Sequence, residues 1–274
     1  MIFKASLFFI LKNERNDNIM RNLREERLGE RFITNEGYIV EIVEYNNGKN
    51  VLVEFQDEYK IRVHTQYEHC KNGKIKNPYH PSVFGVGYLG EGKYKSKNNG
   101  KVTKEYREWT NMLERCYDEE YHKKRPTYKN VIADEYFHNF QNYCKWREDN
   151  YYEIEGETMC LDKDILVKGN KEYAPDKCIF VPERINTLFI KRDNDRGSFP
   201  IGVYYKKQTN KYAAQYNVEG KHKHLGYFDT VEEAFLAYKE FKEAYIKEVA
   251  DKYKDRIPKE LYDAMYAWEV EIND

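Results

Sequence analysis

The C-terminal third of this 274-residue chain consists of three short apolar segments, two tight turns and a capped helix, and this pattern constrains the fold most. The predicted strands are residues 201–205, 212–218 and 223–228, and the turns between them are residues 208–210 and 219–221. Asp229 or Thr230 then caps a helix that carries Glu232 and Glu233 in its first turn and apolar residues through Tyr245. The segment therefore predicts a three-stranded sheet with one helix packed across it.

The same segment carries a specific set of short motifs. In chain order they are Gly202-Val203, Lys211-Tyr212-Ala213-Ala214, Leu225-Gly226-Tyr227-Phe228, Thr230-x-Glu232-Glu233-Ala234 and Ala237-Tyr238. This set resembles the DNA-binding domain of the plant ethylene-response-factor (Apetala-two) class, a domain that also occurs in phage HNH homing endonucleases. The resemblance implies a DNA-binding module at residues 199–274.

The resemblance also implies which residues of this module contact DNA. In the family, the exposed face of the sheet enters the major groove and contacts bases and phosphates. By position, these contacts fall on Tyr204, Lys206, Gln215, Asn217, His222 and His224. Several of these positions are Arg or Trp in the plant members, so the resemblance implies a different base readout here. Residues 199–227 hold five Lys/Arg against one Asp/Glu, which favours the sheet as the DNA-facing surface, although a sheet–helix module that binds protein is the alternative.

A second stretch, residues 160–189, predicts a strand, a loop, a second strand and a helix. Its apolar start leads into the charged triplet Asp162-Lys163-Asp164, and turn-forming residues follow. A second apolar segment, residues 178–181, then meets Pro182, which suits the first turn of a helix. This order of elements can hold one metal ion between a loop and a helix.

The stretch resembles the ββα-metal (HNH) endonucleases of phages and mobile elements. By position, the resemblance places metal ligands at Asp162 and Asn186, and it places Lys163 where the family has its general-base His. Lys177 or Asp176 falls where the family has an Asn that orients the loop. A carboxylate and an amide oxygen suit Mg²⁺ or Mn²⁺. An ordinary Lys, with a pKa near 10.4, is a poor base at neutral pH, so the resemblance predicts weak cleavage or none. The alternative is that the acids of the triplet only solvate a loop.

The N-terminal part of the chain predicts a small β-module. Apolar and polar residues alternate from Arg31 onward, and turn signals at residues 35–37, 46–48 and 57–58 divide the segments. This pattern predicts an antiparallel, barrel-like module over residues 31–70. Residues 1–30 form a lead-in, whose short apolar start has no small-residue cleavage site after it and is interpreted as an edge strand or an upstream extension.

Residues 71–103 predict a basic linker in which lysines alternate with aromatic rings. Lys93, Lys95 and Lys97 are its predicted phosphate contacts. The segment from Tyr59 to Arg107 has a net charge of +8, whereas the segment from Asp229 to Asp274 has a net charge of −6. A chain with an overall charge of −1 can therefore still bind phosphate through one basic face. A solvated linker with a few anchoring rings is the alternative.

Composition limits the class of protein. Charged residues make up 34% and hydrophobic residues 41% of the chain, which is typical of a folded, water-soluble protein. The five cysteines include no C-x-x-C pair, which fits reduced thiols and does not indicate a zinc site. The sequence has no apolar stretch long enough to span a membrane. We expect a cytoplasmic protein, in the cytoplasm of the host cell if a phage encodes it, and no membrane partner.

Together these patterns predict a multi-module α+β protein. The predicted HNH-like module is residues 104–198, in which two amphipathic helices near residues 104–117 and 135–146 buttress the metal site. The predicted function is a phage or mobile-element DNA-binding protein of the HNH homing-endonuclease type, weakly active or inactive at its degenerate metal site, with double-stranded DNA as its partner. The alternative is a non-catalytic DNA-binding regulator, or an inhibitor of a host nuclease or defence system with a host protein as its partner.

Overall fold

The computed structural model describes residues 21–190, 198–218 and 220–274. The chain divides into two compact units, residues 1–93 and 94–274. The predicted lead-in lies outside the described residues up to residue 20, and residues 21–27 are helical. Residues 191–197, at the end of the predicted HNH-like module, also lie outside them.

The first unit is built on four antiparallel strands in sequential order. These are β1 (Arg31–Ile33), β2 (Ile39–Asn47), β3 (Asn50–Phe55) and β4 (Arg62–Thr65), followed by the short helix α1 (Tyr67–Lys71). The alternation seen in the sequence places Val40, Ile42, Val51 and Val53 in the core. The prediction of a barrel-like module was wrong, because among the described residues β1 and β4 remain unpaired edges and the sheet is open. The edge strands have only three and four residues, too few to close a cylinder of tilted strands.

The first part of the predicted basic linker packs against this sheet. Asn77 is buried, and its side-chain amide donates to Asp57 Oδ2 at 2.7 Å while its backbone N–H donates to Glu36 Oε2 at 2.8 Å. Ile75 lies in the core and Tyr79 packs against it. Satisfied polar groups at a buried position fix a loop strongly, so this segment is an ordered part of the first unit.

The second unit begins with a helical layer. Its elements are β5 (Lys97–Asn98), β6 (Lys101–Val102), α2 (Lys104–Tyr117), α3 (Glu119–Lys124), a 3-10 turn (Pro126–Tyr128), β7 (Ile132–Ala133), α4 (Glu135–His138) and α5 (Phe140–Asn150). The apolar stripe predicted for residues 104–117 is buried in α2 through Trp109, Met112, Leu113 and Cys116. Aromatic residues of α4 and α5 pack against it, with Trp109 and Phe140 5.3 Å apart between ring centroids.

The centre of the second unit is a strand pair followed by a short helix. The elements are β8 (Met159–Asp162), β9 (Glu172–Tyr173), β10 (Ile179–Pro182), α6 (Glu183–Asn186) and a 3-10 turn (Thr187–Phe189). β8 and β10 are antiparallel, with Asp162 opposite Ile179, and β9 pairs in parallel with β7. The order of strand, loop, strand and helix is therefore present, and the helix is one turn long.

The C-terminal part contains the predicted three-stranded sheet and its helix. The strands are β11 (Val203–Lys206), β12 (Lys211–Val218) and β13 (Lys221–Phe228), all antiparallel, and the helices are α7 (Val231–Tyr253) and α8 (Lys259–Tyr266). Thr230 caps α7 and forms a capping box with Glu233, as the sequence indicated. No helix in the described ranges is long and apolar enough to cross a membrane.

Helix α7 belongs to two hydrophobic cores. Its first half covers the sheet, where Ala234 and Tyr238 pack with residues of β11 and β12. Its second half enters a different core, in which Ile246 packs with Ile179 and Val181 of β10. One continuous helix therefore joins the C-terminal sheet to the central strand pair.

Candidate nucleic-acid interface

Strand register determines which side chains share the face of the C-terminal sheet that α7 does not cover. Residues directly opposite each other in an antiparallel pair point to the same face. Tyr204 and Tyr227 flank Ala213 in one row, Gln215 lies opposite His224 in the next, and Asn217 lies opposite His222 in the third. Val203, Ala214 and Tyr216 point the other way, into the core with α7. We call the face that carries Gln215 the outer face.

All six residues predicted to contact DNA lie on the outer face. They are Tyr204, Lys206, Gln215, Asn217, His222 and His224. The structure adds three residues that the resemblance did not indicate, which are Lys211, Ala213 and Tyr227. Strict alternation along β12 could have found Lys211 and Ala213, because they share the parity of Gln215.

A bulge in β13 is needed to bring the two histidines to this face. The pairing shifts between Ala214 and Gln215, so that Leu225 has no partner in β12 and packs towards the core. The extra residue reverses the alternation along the strand. His222 and His224 would otherwise point to the same side as Phe228, which packs against α7.

The outer face has a shallow floor between two exposed rings. Ala213 is fully buried even though it points outward, while Tyr204 and Tyr227 on either side are 36% and 40% exposed. The Lys206 ammonium donates to the Tyr227 hydroxyl and lies 4.8 Å from the centre of that ring. This hydrogen bond raises the pKa of Lys206, so the side chain stays positively charged at neutral pH. A cation, two phenol hydroxyls and a small residue thus lie side by side.

Charge differs between the two sides of the module. Lys206 and Lys211 are on the outer face, whereas Lys223 points to the opposite side and lies 4.4 Å from the Phe241 ring of α7. α7 itself carries Glu232 and Glu233 in its first turn. The outer face is therefore the side of this module that can approach a polyanion.

Comparison with known families gives one match in this region. Residues 199–248 match the AP2 domain. The AP2 domain indicates DNA binding, and the match covers the whole three-stranded sheet and α7 up to residue 248. The resemblance noted for this segment is confirmed. No curated protein and no solved structure matches this chain.

At the predicted metal site, Asp162 and Lys163 form hydrogen bonds within the loop that follows β8. Lys163, predicted as the base, is buried with 6% exposure, and its ammonium donates to Asp164 Oδ2 at 2.9 Å and to the backbone carbonyl of Asn170 at 3.0 Å. Asp162 Oδ1 accepts the backbone N–H groups of Asp164 at 2.8 Å and Ile165 at 2.7 Å. Through these hydrogen bonds, both side chains stabilise the conformation of the loop that follows β8.

The loop is oriented by an amide that the sequence comparison did not select. Asn170 donates through Nδ2 to the carbonyls of Lys163 at 2.6 Å and Glu172 at 2.7 Å, and its Oδ1 accepts the Glu172 N–H at 3.1 Å. Lys177, at the predicted position of the orienting Asn, forms an ion pair with Glu172 instead. The signal in the sequence for this role was the residue type. An Asn amide donates two hydrogen bonds and also accepts, so one side chain can connect two segments of a loop.

The role of Asp162 and Asn186 as metal ligands remains a prediction. Burial, with a further contribution from the Asp164 carboxylate, raises the pKa of Asp162 to about 6. The neighbouring Lys163 side chain is buried. Asn186 ends α6 and is partly buried. Among the described residues, no cluster of three or more His, Cys, Asp or Glu side chains is placed to hold a metal ion.

The three predicted phosphate contacts of the basic linker do not lie in one unit. Lys93 is the last residue of the first unit, whereas Lys95 and Lys97 belong to the second. All three are exposed, and Lys97 begins β5. Their role as phosphate contacts remains a prediction.

Proposed function

We propose that this chain is a DNA-binding regulator that reads duplex DNA with the outer face of its C-terminal sheet and does not cut it. The observation that supports the proposal best is the register of the AP2 sheet. It gathers the basic, amide and imidazole side chains on one face and leaves the acidic helix α7 on the other. A face of this composition suits the major groove, where polar side chains can reach base edges.

The chemistry of the outer face suggests how the reading is divided. Gln215 and Asn217 carry amides, which can form two hydrogen bonds with one adenine. Lys206, whose ammonium donates to the Tyr227 hydroxyl, suits a phosphate. His222 and His224 lie beside the amides and extend the same rows. The central amides would therefore specify sequence, while the lysine end would position the duplex.

Substitution of Gln215 tests this division. Gln215→Ala is expected to weaken binding to a preferred duplex by about 1–3 kcal/mol, because one bidentate base contact is lost. Lys206→Ala is expected to weaken binding to all duplexes about equally and to lower the slope of log K against log salt by about 0.9. Gel-shift titrations at several salt concentrations measure both effects.

Lys223→Ala serves as the matched control for Lys206→Ala. It removes the same charge from the same sheet, but its side chain lies on the α7 side. If Lys223→Ala lowers affinity and salt dependence as much as Lys206→Ala does, the outer face is not the DNA-binding surface.

A second candidate is an HNH homing endonuclease of the phage type. The order β8, loop, β10 and α6 supports it, because this is the order of the elements in that family. The hydrogen bonds of the Lys163 side chain to Asp164 and Asn170, and those that Asp162 Oδ1 accepts from two backbone N–H groups, favour a structural role for the same residues. Both partners of Lys163, a carboxylate and a carbonyl, are acceptors that favour a donating lysine over one that takes a proton from water.

A nicking assay separates the two candidates. The protein is incubated with supercoiled plasmid and either Mg²⁺, Mn²⁺ or a chelator, and we expect no metal-dependent nicking at pH 7. Asp162→Asn is the informative variant, because the amide oxygen can still accept the two backbone N–H groups while the charge is removed. Metal-dependent cutting that disappears in Asp162→Asn would establish the endonuclease and contradict our proposal.

A further inference from the structure

We propose that residues 94–103, here called the basic arm, are a second duplex-contacting element that binds DNA next to the segment held by the AP2 sheet. This inference rests on the proposed function and extends it to a two-point contact. The arm contains the β5–β6 ribbon, whose two-residue turn is Asn99-Gly100. Both turn residues have positive φ, 48° for Asn99 and 77° for Gly100, which is the geometry of a tight type I′ hairpin.

The ribbon projects its whole length into solvent. All six residues from Lys97 to Val102 are exposed. Lys95, Lys97 and Lys101 bring three positive charges to the arm, and within the described part of the chain none of the three forms an ion pair. Asn98 and Asn99 place two amides at the tip. Unpaired lysines beside exposed amides on a narrow ribbon match what a DNA groove and its flanking phosphates require.

The arm is fixed at its base. Tyr94 and Gln141 of α5 exchange two hydrogen bonds of 3.0 Å, and the Tyr94 hydroxyl binds Glu148 on the same helix. On the other strand, the Thr103 hydroxyl bonds to the Lys95 and Ser96 carbonyls at 3.0 and 3.3 Å, and its oxygen also caps α2. Little chain entropy remains to be lost when such a ribbon binds, which favours a recognition element over a linker.

A continuous set of packed residues connects the arm to the AP2 sheet. α5, which anchors the arm, contacts β10 through Trp146 and Phe180, whose ring centroids are 5.5 Å apart. β10 in turn packs on the second half of α7 through Ile179 and Val181, and the first half of α7 covers the sheet. Arm and sheet therefore belong to one compact unit, so they would meet a duplex at a fixed separation.

The composition of the ribbon indicates duplex rather than single-stranded nucleic acid. Its sequence, KNNGKV, contains no aromatic ring on which an unpaired base could stack. A two-stranded ribbon is also narrow enough to enter the major groove of B-DNA. The ribbon would thus add groove and phosphate contacts on the flank of the site that the sheet reads.

The experiment is hydroxyl-radical footprinting of the full chain on a duplex selected from a random pool, together with the salt dependence of binding. Wild type is expected to protect a central segment and a separate flank. Lys97→Ala/Lys101→Ala should lose only the flank protection and lower the slope of log K against log salt by up to about 0.9 for each lost contact. The control is the double variant Lys247→Ala/Lys259→Ala, which removes two exposed lysines from α7 and α8. It should leave the flank protection and the slope of log K against log salt unchanged.

The outcomes distinguish the two proposals. An unchanged flank and slope in the arm variant, with central protection still lost in Gln215→Ala, would overturn the role of the arm and leave the sheet as the reader. Failure of the wild-type chain to bind any duplex would overturn both. Circular dichroism of each variant shows whether a loss of protection comes from unfolding, and Asn98→Ala, which leaves the turn residues intact, tests the tip independently.

Discussion

Gly202→Ala is expected to lower the free energy of unfolding of the second unit by about 2–5 kcal/mol and to abolish duplex binding at physiological temperature. Gly202 has a φ of 77°, in the left-handed region that disfavours any residue with a Cβ. An added Cβ would lie 2.0 Å from Cδ2 and 2.2 Å from Cε2 of Tyr238. Because Tyr238 is a buried ring of α7, it cannot move aside, and either the helix or β11 must shift.

Gly220→Ala is the control that isolates the backbone strain. Gly220 has a similar φ of 83° in the β12–β13 turn, but its added Cβ would meet no described atom within 4 Å. We expect Gly220→Ala to cost only about 1–2 kcal/mol, the price of the left-handed conformation alone. Urea unfolding followed by circular dichroism compares the two variants. Equal destabilisation would mean that the close approach of β11 to Tyr238 does not govern the stability of the sheet.

Ile246→Ala is expected to cost about 2–5 kcal/mol and to unfold the sheet and the central strand pair together. Ile246 is fully buried where α7 meets β10, so its truncation leaves a cavity in the core between α7 and the central strand pair. Tryptophan fluorescence, to which Trp146 beside β10 contributes, follows the packing of this unit, while duplex binding reports on the sheet. The two signals should be lost in one transition, because a single helix carries both interfaces.

Leu236→Ala provides a control on the same helix. Leu236 is 53% exposed, so its truncation should change the free energy of unfolding by less than about 0.5 kcal/mol. If Ile246→Ala instead separates the two signals into two transitions, with duplex binding retained after the tryptophan signal changes, then α7 does not couple the sheet to the central part.

The C-terminal module could be predicted from the sequence because its local signals agree with its tertiary contacts. The turns, the capping box at Thr230 and the apolar face of α7 all follow from residue type and spacing. The side on which His222 and His224 lie could not be derived by alternation, because the bulge at Leu225 reverses it. The resemblance assigned these residues by position and without alternation, and they lie on one face in the observed register.

The central part was less predictable because a charged residue occupies a core position. The HNH resemblance placed Lys163 at the position of a general base, and the structure shows its side chain buried against Asp164 and Asn170. Burial of a lysine depends on partners that the loop brings together, and local periodicity contains no information about them. The open first sheet likewise depends on which edge strands find a partner, and strand count alone does not determine this.

Because α7 is one continuous helix, the number of residues between its two halves sets the rotation of one apolar face relative to the other. One residue inserted between Tyr238 and Ile246 would rotate the two ends of an ideal helix by about 100° and separate them by about 1.5 Å. The sheet and the central strand pair could then no longer both keep their apolar contacts with α7. Length changes should be tolerated in the turns of this unit. They should not be tolerated along that segment of the helix, because the number of residues there fixes the relative orientation of its two apolar faces.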